Sequence, residues 1–275
     1  MPIGASPARP PRRWLCAAIA GALMLGGCGS LPAPSAPPAL RDTLAPTGVL
    51  RIAVYPGSPT SLVEAAAPEN MRGLSVDLGR SLAARLGVPA QIIVHLRLAE
   101  ALAAVQRGDA DFTITNATVE RQRMVDFAAP IVDLELGVLV PSTSRVAAVD
   151  RLDQPDVTIG VSQGSSSERV LGARLKMSRL RTYPSLEAAR TALQAGEIDA
   201  YATNKAILFE MVDRVPGTRV LDGRWGTEHL ALAIPKGRAA GMAYLEAFSG
   251  EVRASGELDR AVKRAGLRGT VVPES

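Results

Sequence analysis

Short apolar runs alternate with amphipathic repeats along most of the chain. The run VLRIAV at 49–54 stops at Pro56-Gly57 and predicts a buried strand. Leucine recurs at every fourth position within 74–88, which predicts an amphipathic helix that ends at Gly87. A strand, a helix and a strand are then predicted at 91–96, 98–108 and 111–115. Strands that alternate with helices indicate the α/β class, with parallel sheets flanked by helices.

The second half of the chain repeats this order of elements. A strand, two helices and a strand are predicted at 157–161, 166–175, 185–196 and 198–203. A spaced motif also recurs 88 residues later: Gln106-x-Gly108-x-x-Asp111-x-x-x-Thr115-Asn116 is matched by Gln194-x-Gly196-x-x-Asp199-x-x-x-Thr203-Asn204. The repeat therefore predicts two similar α/β units.

Most residues of this motif have a structural explanation. The glycines would end helices in the left-handed conformation, and Asp111 and Asp199 would open the next strands through local hydrogen bonds. Asn116 and Asn204 differ, because they follow the carboxyl ends of parallel strands, where open α/β sheets bind ligands. We expect the two asparagines on facing walls of one cleft.

The first 28 residues have the pattern of a targeting segment. Three arginines precede an apolar run of twelve residues at 14–25, too short for a membrane-spanning helix but typical of a secretory signal. Leu25-Gly26-Gly27-Cys28 resembles the lipobox of bacterial lipoproteins, which implies cleavage and lipidation at Cys28. An ordinary signal peptide with a chance cysteine is the alternative. Residues 29–48 are rich in Pro, Ala and Ser and predict an extended tether.

Charge and cysteine content change once residues 1–28 are removed. The whole chain has 31 basic and 27 acidic residues and a pI near 9.4, but the segment contributes three arginines and no acid. The remaining 28 basic and 27 acidic side chains lack the excess of positive charge that nucleic-acid binding requires. No disulfide is expected, and two histidines without a usable cysteine give no zinc site, so neither a metal nor a cofactor is predicted.

Several segments resemble the solute-binding proteins of bacterial ABC importers, in the polar amino-acid (family 3) group. The most specific is Thr118-x-Glu120-Arg121-x-x-x-Val125-Asp126-Phe127-x-x-Pro130; others are RGLSVDLGRSLAARLG, IGVSQGSSSERVL, QAGEIDAYATN and ALAIPKG. The similarity runs from about 49 to 272. It implies a two-lobed, type II periplasmic-binding-protein-like fold with two crossovers, near 138–141 and 229–234. Lobe I would comprise 49–137 and 230–275, and lobe II 138–229.

The resemblance also implies the binding residues. Arg121 stands where the family binds the carboxylate of its ligand, and a guanidinium suits that task because its planar fork of donors stays charged. Further candidates around the same cleft are Asn116, Thr118, Ser165, Ser166, Asn204 and Tyr55. Asn204 replaces the aspartate that usually pairs with the ammonium of an amino acid, so the resemblance leaves open whether the ligand carries an α-amino group.

Structural roles are open for the same residues. The segment 120–123 can be a solvated charged turn, and Ser165 with Glu168 forms a helix-capping sequence. Asn204 can cap the following helix, and Tyr55 can cover the core.

The predicted function is solute binding without catalysis, in a lipid-anchored monomer outside the cytoplasm, on the cell membrane or the outer membrane. The expected partners are a small carboxylate-bearing solute such as an amino acid, an ABC permease and, through the anchor, the membrane. One enzyme alternative is a lyase of the same fold, like the cyclohexadienyl dehydratases. A serine hydrolase is less favoured; it would use Ser162 in the G-x-S-x-G pattern at 160–164 and His229, with Asp199 or Asp222 between them. A sensory lipoprotein is a third possibility.

Overall fold

The structure is a computed structural model that describes residues 36–63 and 70–271, together with residues 4 and 67. Apart from residue 4, the predicted signal segment lies outside the described residues, and so does Cys28. Within the described ranges, no helix is both long and apolar enough to cross a membrane.

The first half of the described chain alternates helices and strands up to one long strand. Its elements are α1 (Pro38–Leu44), β1 (Leu50–Val54), α2 (Leu74–Leu86), β2 (Ala90–Val94), α3 (Leu98–Arg107), β3 (Thr113–Asn116), α4 (Val119–Gln122), β4 (Val125–Phe127) and β5 (Val132–Pro141). The strands and helices predicted in this half are present, with ends shifted by one or two residues.

The second half repeats the alternation and returns through a second long strand. Its elements are a short 3-10 helix (Val149–Arg151), β6 (Thr158–Ser162), α5 (Ser166–Arg174), β7 (Arg179–Tyr183), α6 (Leu186–Gln194), β8 (Ala200–Asn204), α7 (Lys205–Arg214), β9 (Thr218–Val220), β10 (Gly226–Pro235), α8 (Ala239–Ala254), α9 (Glu257–Ala265) and β11 (Thr270–Val271). The α/β class is confirmed.

The strands form one two-stranded and one nine-stranded sheet. β1 pairs with β2 in parallel, and β6 pairs in parallel with both β7 and β8. The large sheet has the order β3-β10-β5-β8-β6-β7, and β4, β9 and β11 pair with its two long strands. These long strands, β5 and β10, are antiparallel to each other and to their other neighbours. They carry the chain between the two repeated units, where the crossovers are predicted.

The apolar interior is divided between the two units. Two clusters of buried residues are built from positions up to 134 together with positions from 230 onward; Ala206 is the one exception in these two clusters. The other two are built from positions 138–221. Each unit therefore packs its helices on its own part of the sheet.

The extended conformation predicted for 29–48 is wrong for α1. Residues 38–44 form a helix with a proline at its start, and Leu44 is fully buried beside Gly241 of α8, where an added Cβ would lie 2.4 Å from a leucine methyl. Arg238 donates a hydrogen bond to the Leu44 carbonyl. Burial of one leucine and a capping arginine outweighs the low helix propensity of a Pro-rich segment.

The repeated motif has the expected glycine roles but longer-range aspartate contacts. Gly108 and Gly196 adopt φ values of 76° and 71° directly after α3 and α6. Asp111 accepts a hydrogen bond from the Arg51 backbone N–H, and Asp199 one from Thr158. The prediction of local bonds is therefore wrong: each aspartate bridges to the first strand of its own unit.

Candidate functional site

A polar cavity lies between the two units, at the carboxyl ends of the parallel strands. Five predicted residues line it: Tyr55, Asn116, Arg121, Ser165 and Asn204. Thr115, Ser162, Thr203 and Glu228 add further polar groups. The cavity is partly open to solvent, and the space accessible to the centres of water molecules is about 30 Å³. Residues from both halves of the chain are thus close together around a small space.

Arg121 is the buried cation of the cavity. It lies on α4, is 6% exposed, and its Nη1 donates hydrogen bonds to Thr115 Oγ1 at 2.7 Å and to the Asn116 carbonyl at 3.3 Å. Nη2 lies 3.4 Å from the Gly164 carbonyl. Burial lowers the pKa of Arg121 and the charge of Glu228 opposes this effect, yet a guanidinium stays protonated at physiological pH.

Glu228 is the buried anion of the cavity, and sequence reasoning missed it. It lies on β10, is 8% exposed, and accepts hydrogen bonds from Ser166 Oγ at 2.8 Å and from Asn204 Nδ2 at 2.9 Å. A signal was available, because Glu228 lies two and four residues before Leu230 and Leu232 and therefore on the same face of the strand, and both leucines are buried. A carboxylate on the buried face of a strand is rare unless it is paired or functional.

Asn116 and Asn204 end β3 and β8 as predicted, and both line the cavity. Asn116 Nδ2 donates to Ser166 Oγ at 3.3 Å, and its Oδ1 accepts from the His229 N–H at 2.9 Å. Asn204 Oδ1 accepts from the Ile207 N–H, so Asn204 also caps α7. Asn204 therefore both caps α7 and forms part of the cavity wall.

Ser165, Ser166 and Thr118 have different positions around this site. Ser165 caps α5 by accepting from the Glu168 N–H, and it also faces the cavity. Ser166 lies beside the cavity and points into the hydrogen-bonded network of Asn116 and Glu228. Thr118 caps α4 by accepting from the Arg121 N–H. Thr118 therefore orients the helix that carries the guanidinium.

Tyr55 forms part of the cavity wall just after β1. Its hydroxyl lies 3.4 Å from Ser58 Oγ, and burial raises the pKa of Tyr55. The hydroxyl donates to Ser58, so the side chain is a neutral wall whose ring can pack on a ligand.

The residues of the hydrolase alternative do not form a catalytic arrangement. Ser162 Oγ lies 2.6 Å from the Tyr201 hydroxyl, while His229 Nδ1 lies 2.8 Å from Asp133 Oδ1. Among the described residues other than glycine, only Asp156 has a positive φ, so Ser162 lacks the strained backbone of a nucleophile elbow. Ser162 and His229 belong to separate hydrogen-bonded pairs.

Two buried charges of opposite sign remain unpaired at the cavity. Across the described residues, no ion pair within 4.0 Å joins Arg121 or Glu228 to an opposite charge. In the same ranges, no cluster of three or more His, Cys, Asp or Glu is arranged to hold a metal ion. The chemistry offered by the site is recognition of charged groups.

Solved structures share this fold. An amino acid ABC transporter substrate-binding protein of Streptococcus pneumoniae bound to L-arginine superposes with a TM-score of 0.74 at 22% identity, covering 82% of this chain and 97% of that one. The ancestral amino acid-binding protein AncCDT-1, a precursor of cyclohexadienyl dehydratase, superposes with a TM-score of 0.70 at 23% identity, covering 82% and 98%. The two-lobed, type II periplasmic-binding-protein-like fold is confirmed.

Relatives in sequence agree with the structural neighbours. A probable histidine-binding protein of Neisseria gonorrhoeae is 27% identical over 260 residues, 90% of this chain and 93% of that protein. The sequence signature of the bacterial extracellular solute-binding proteins, family 3, matches residues 50–266. With the cavity between two α/β units, this match over most of the chain means that the protein belongs to that family of solute-binding proteins.

Proposed function

We propose that this protein is the substrate-binding component of an ABC importer and binds a small carboxylate-bearing solute in the cavity. The observation that carries the proposal is Arg121, a buried guanidinium that lines the cavity and has no ion-pair partner among the described residues. The same part of the chain provides no acceptor for its Nε or for the second proton of Nη2, and a carboxylate can accept two parallel bonds from such a fork.

The two α/β units would be the lobes of a hinged molecule. Lobe I comprises 49–137 and 230–275, and lobe II 138–229. Separate apolar clusters support this division, since each unit keeps its own interior when the other moves. The long strands β5 and β10 connect the units and would bend at the two crossovers, near 138–141 and 229–234.

Contacts across the cavity support a closing motion. Arg121 and Asn116 of lobe I bond to Gly164 and Ser166 of lobe II, and Glu120 forms an exposed ion pair with Arg169 at 3.1 Å. A ligand that touches both lobes favours this arrangement over an open one, because only the closed form provides both sets of contacts.

A ligand screen tests the function. Calorimetric titration of the purified mature protein with L-amino acids and with small carboxylates should find a compound that binds at micromolar Kd or tighter and raises the unfolding temperature. Amines that lack a carboxylate should not bind. Absence of binding by every carboxylate in a folded preparation would exclude the proposed function.

Closure itself predicts an effect of Gly164→Ala. Gly164 of lobe II has a φ of 73°, and an added Cβ would lie 2.9 Å from Ala99 Cβ of lobe I. The methyl group should raise the free energy of the closed form and weaken ligand binding about 10-fold, since only the closed fraction binds tightly.

Gly196→Ala is the matched control for that variant. Gly196 has a similar φ of 71°, but nothing lies within 4 Å of an added Cβ. Both variants should lose about 1–2 kcal/mol of folding stability from the left-handed backbone. Equal affinities of the two variants for the ligand would contradict closure at Gly164.

The proposed function includes attachment of the protein to a membrane through a lipid. Cleavage before Cys28 and its lipidation would hold a monomer outside the cytoplasm, on the cell membrane or the outer membrane, within reach of an ABC permease. The lipobox-like segment 25–28 supports this location, and mass spectrometry of the mature N terminus tests it.

The lyase alternative can be tested separately, by turnover of a substrate in the cavity. The fold similarity to AncCDT-1 and the presence of a buried acid beside a carboxylate-binding arginine make it testable. Prephenate should not be turned over if the protein is a binding component. Release of phenylpyruvate, lost in Glu228→Gln, would replace the transport proposal with the lyase.

A further inference from the structure

Arg121 and Glu228 together indicate which charged groups the ligand carries. Both side chains are buried, both line the same cavity, and neither has an ion-pair partner within 4.0 Å among the described residues. Burying an isolated charge is costly, and the cost is offset when an opposite charge binds beside it. A ligand with one anionic and one cationic group would satisfy both residues at once.

Glu228 has the capacity and the orientation to bind a cation. A carboxylate offers about four lone-pair sites, and two of them accept the bonds from Ser166 and Asn204. The same two bonds hold one oxygen each, so the carboxylate is fixed before a ligand arrives. The remaining lone pairs can accept N–H donors from an ammonium group.

The contact with Glu228 explains why residue 204 is an asparagine and not an aspartate. Asn204 donates its amide N–H to Glu228 Oε2 at 2.9 Å, while its own Oδ1 caps α7. An aspartate at 204 would place a second carboxylate at hydrogen-bond distance from Glu228, and two such groups repel unless they share a proton. The asparagine is therefore the compatible partner of a glutamate that carries the negative charge of the site.

The remaining residues of the cavity wall indicate which kind of ligand side chain the site accepts. Among the described residues, Glu228 is the only acid that lines the cavity, and Arg97 is the only charged residue besides it and Arg121. Several remaining wall residues are apolar: Leu96, Leu98, Leu186, Ile207 and Leu230. A cationic side chain would find no second carboxylate there.

We infer that Glu228 binds the ammonium group of an α-amino acid with an uncharged side chain, while Arg121 binds its carboxylate. The inference rests on the proposed function and adds the class of substrate and the residue that selects it. The carboxylate that binds the ammonium group lies on β10, one of the two long strands that connect the units.

Matched pairs of compounds test this inference on the unaltered protein. The probes are L-alanine with propanoate, L-leucine with 4-methylpentanoate, and L-glutamine with 4-carbamoylbutanoate; each acid lacks only the amine. At least one amino acid should bind about 30-fold or more tightly than its partner acid. L-norleucine should also bind about 10-fold or more tightly than L-lysine, which adds a terminal ammonium to a chain of similar shape.

Glu228→Gln then locates the selectivity in one residue. Glutamine can still accept from Asn204 and donate to Ser166, so circular dichroism should show an unchanged fold. The variant should lose about 30-fold in affinity for the amino acid and almost nothing for the partner acid. Equal losses for both compounds, or no loss for either, would overturn the role of Glu228.

Failures of the two proposals are distinguishable. A wild-type protein that binds the acids as tightly as the amino acids refutes the inference and leaves carboxylate binding intact. L-lysine that binds as tightly as L-norleucine refutes the uncharged side chain. A folded wild-type protein that binds none of the amino acids and none of the acids refutes the proposed function itself.

Discussion

Arg121→Ala is expected to lower ligand affinity by about 1000-fold, or roughly 4 kcal/mol, and so to abolish binding in a calorimetric titration. The loss is large because the guanidinium is the only buried cation that lines the cavity among the described residues. Its removal would leave the ligand carboxylate desolvated without a buried cation beside it. At the ligand concentration that saturates the wild type, the same variant should no longer be stabilised against heat.

Two further variants separate charge from geometry. Arg123 is exposed and lies two residues further along the chain, so Arg123→Ala should bind as the wild type does. Arg121→Lys keeps the charge but loses the planar fork, and we expect an intermediate affinity. An unchanged Kd in a folded Arg121→Ala variant would refute the assignment of Arg121 to the carboxylate.

Arg121 was predictable because a local motif specifies it. The residues 118–121 fix the helix cap, the helix and the arginine together, and the structure contains all three. Thr118 and Ser166 were placed by similar local motifs, yet they lie beside the cavity and hold other residues of the site. A motif thus predicts the neighbourhood of a residue better than the direction of its side chain.

Glu228 was not predictable from any motif. It is 24 and 62 residues away in sequence from Asn204 and Ser166. Glu228 lies near Asn204 because β10 and β8 both pair with β5. Glu228 shares a face of β10 with Leu230 and Leu232, which indicates that it is buried. Its role depends on the antiparallel crossover strands, which the strand-helix alternation does not specify.

The helix α1 was missed for a related reason. Its composition is that of a tether, and no amphipathic period extends over seven residues rich in Pro, Ala and Leu. Its position is set by distant contacts, with Leu44 packed at Gly241 and its carbonyl bonded to Arg238. Tertiary contacts of this kind override local propensity, and sequence patterns do not record them.

The repeated aspartates show how one motif acquires unequal roles. In each unit the aspartate accepts a hydrogen bond from the backbone of the first strand, at Arg51 in one and Thr158 in the other. Asp111 alone also bonds the side chains of Arg51 and Arg238, at 2.8–2.9 Å, and is fully buried. The hydrogen bond to Asp111 is the largest contribution to the raised pKa of Arg51.

This difference predicts unequal costs of removing the two carboxylates. Asp111→Ala would leave two nearly buried arginines, 17% and 14% exposed at their side chains, without their shared anion, and should reduce the free energy of unfolding by about 3–5 kcal/mol. Asp199→Ala removes a part-buried acceptor of one backbone N–H and should cost about 1 kcal/mol. Urea denaturation of both variants, followed by circular dichroism, measures the difference. Equal losses would mean that the ion cluster around Asp111 adds nothing beyond the bond shared by both units.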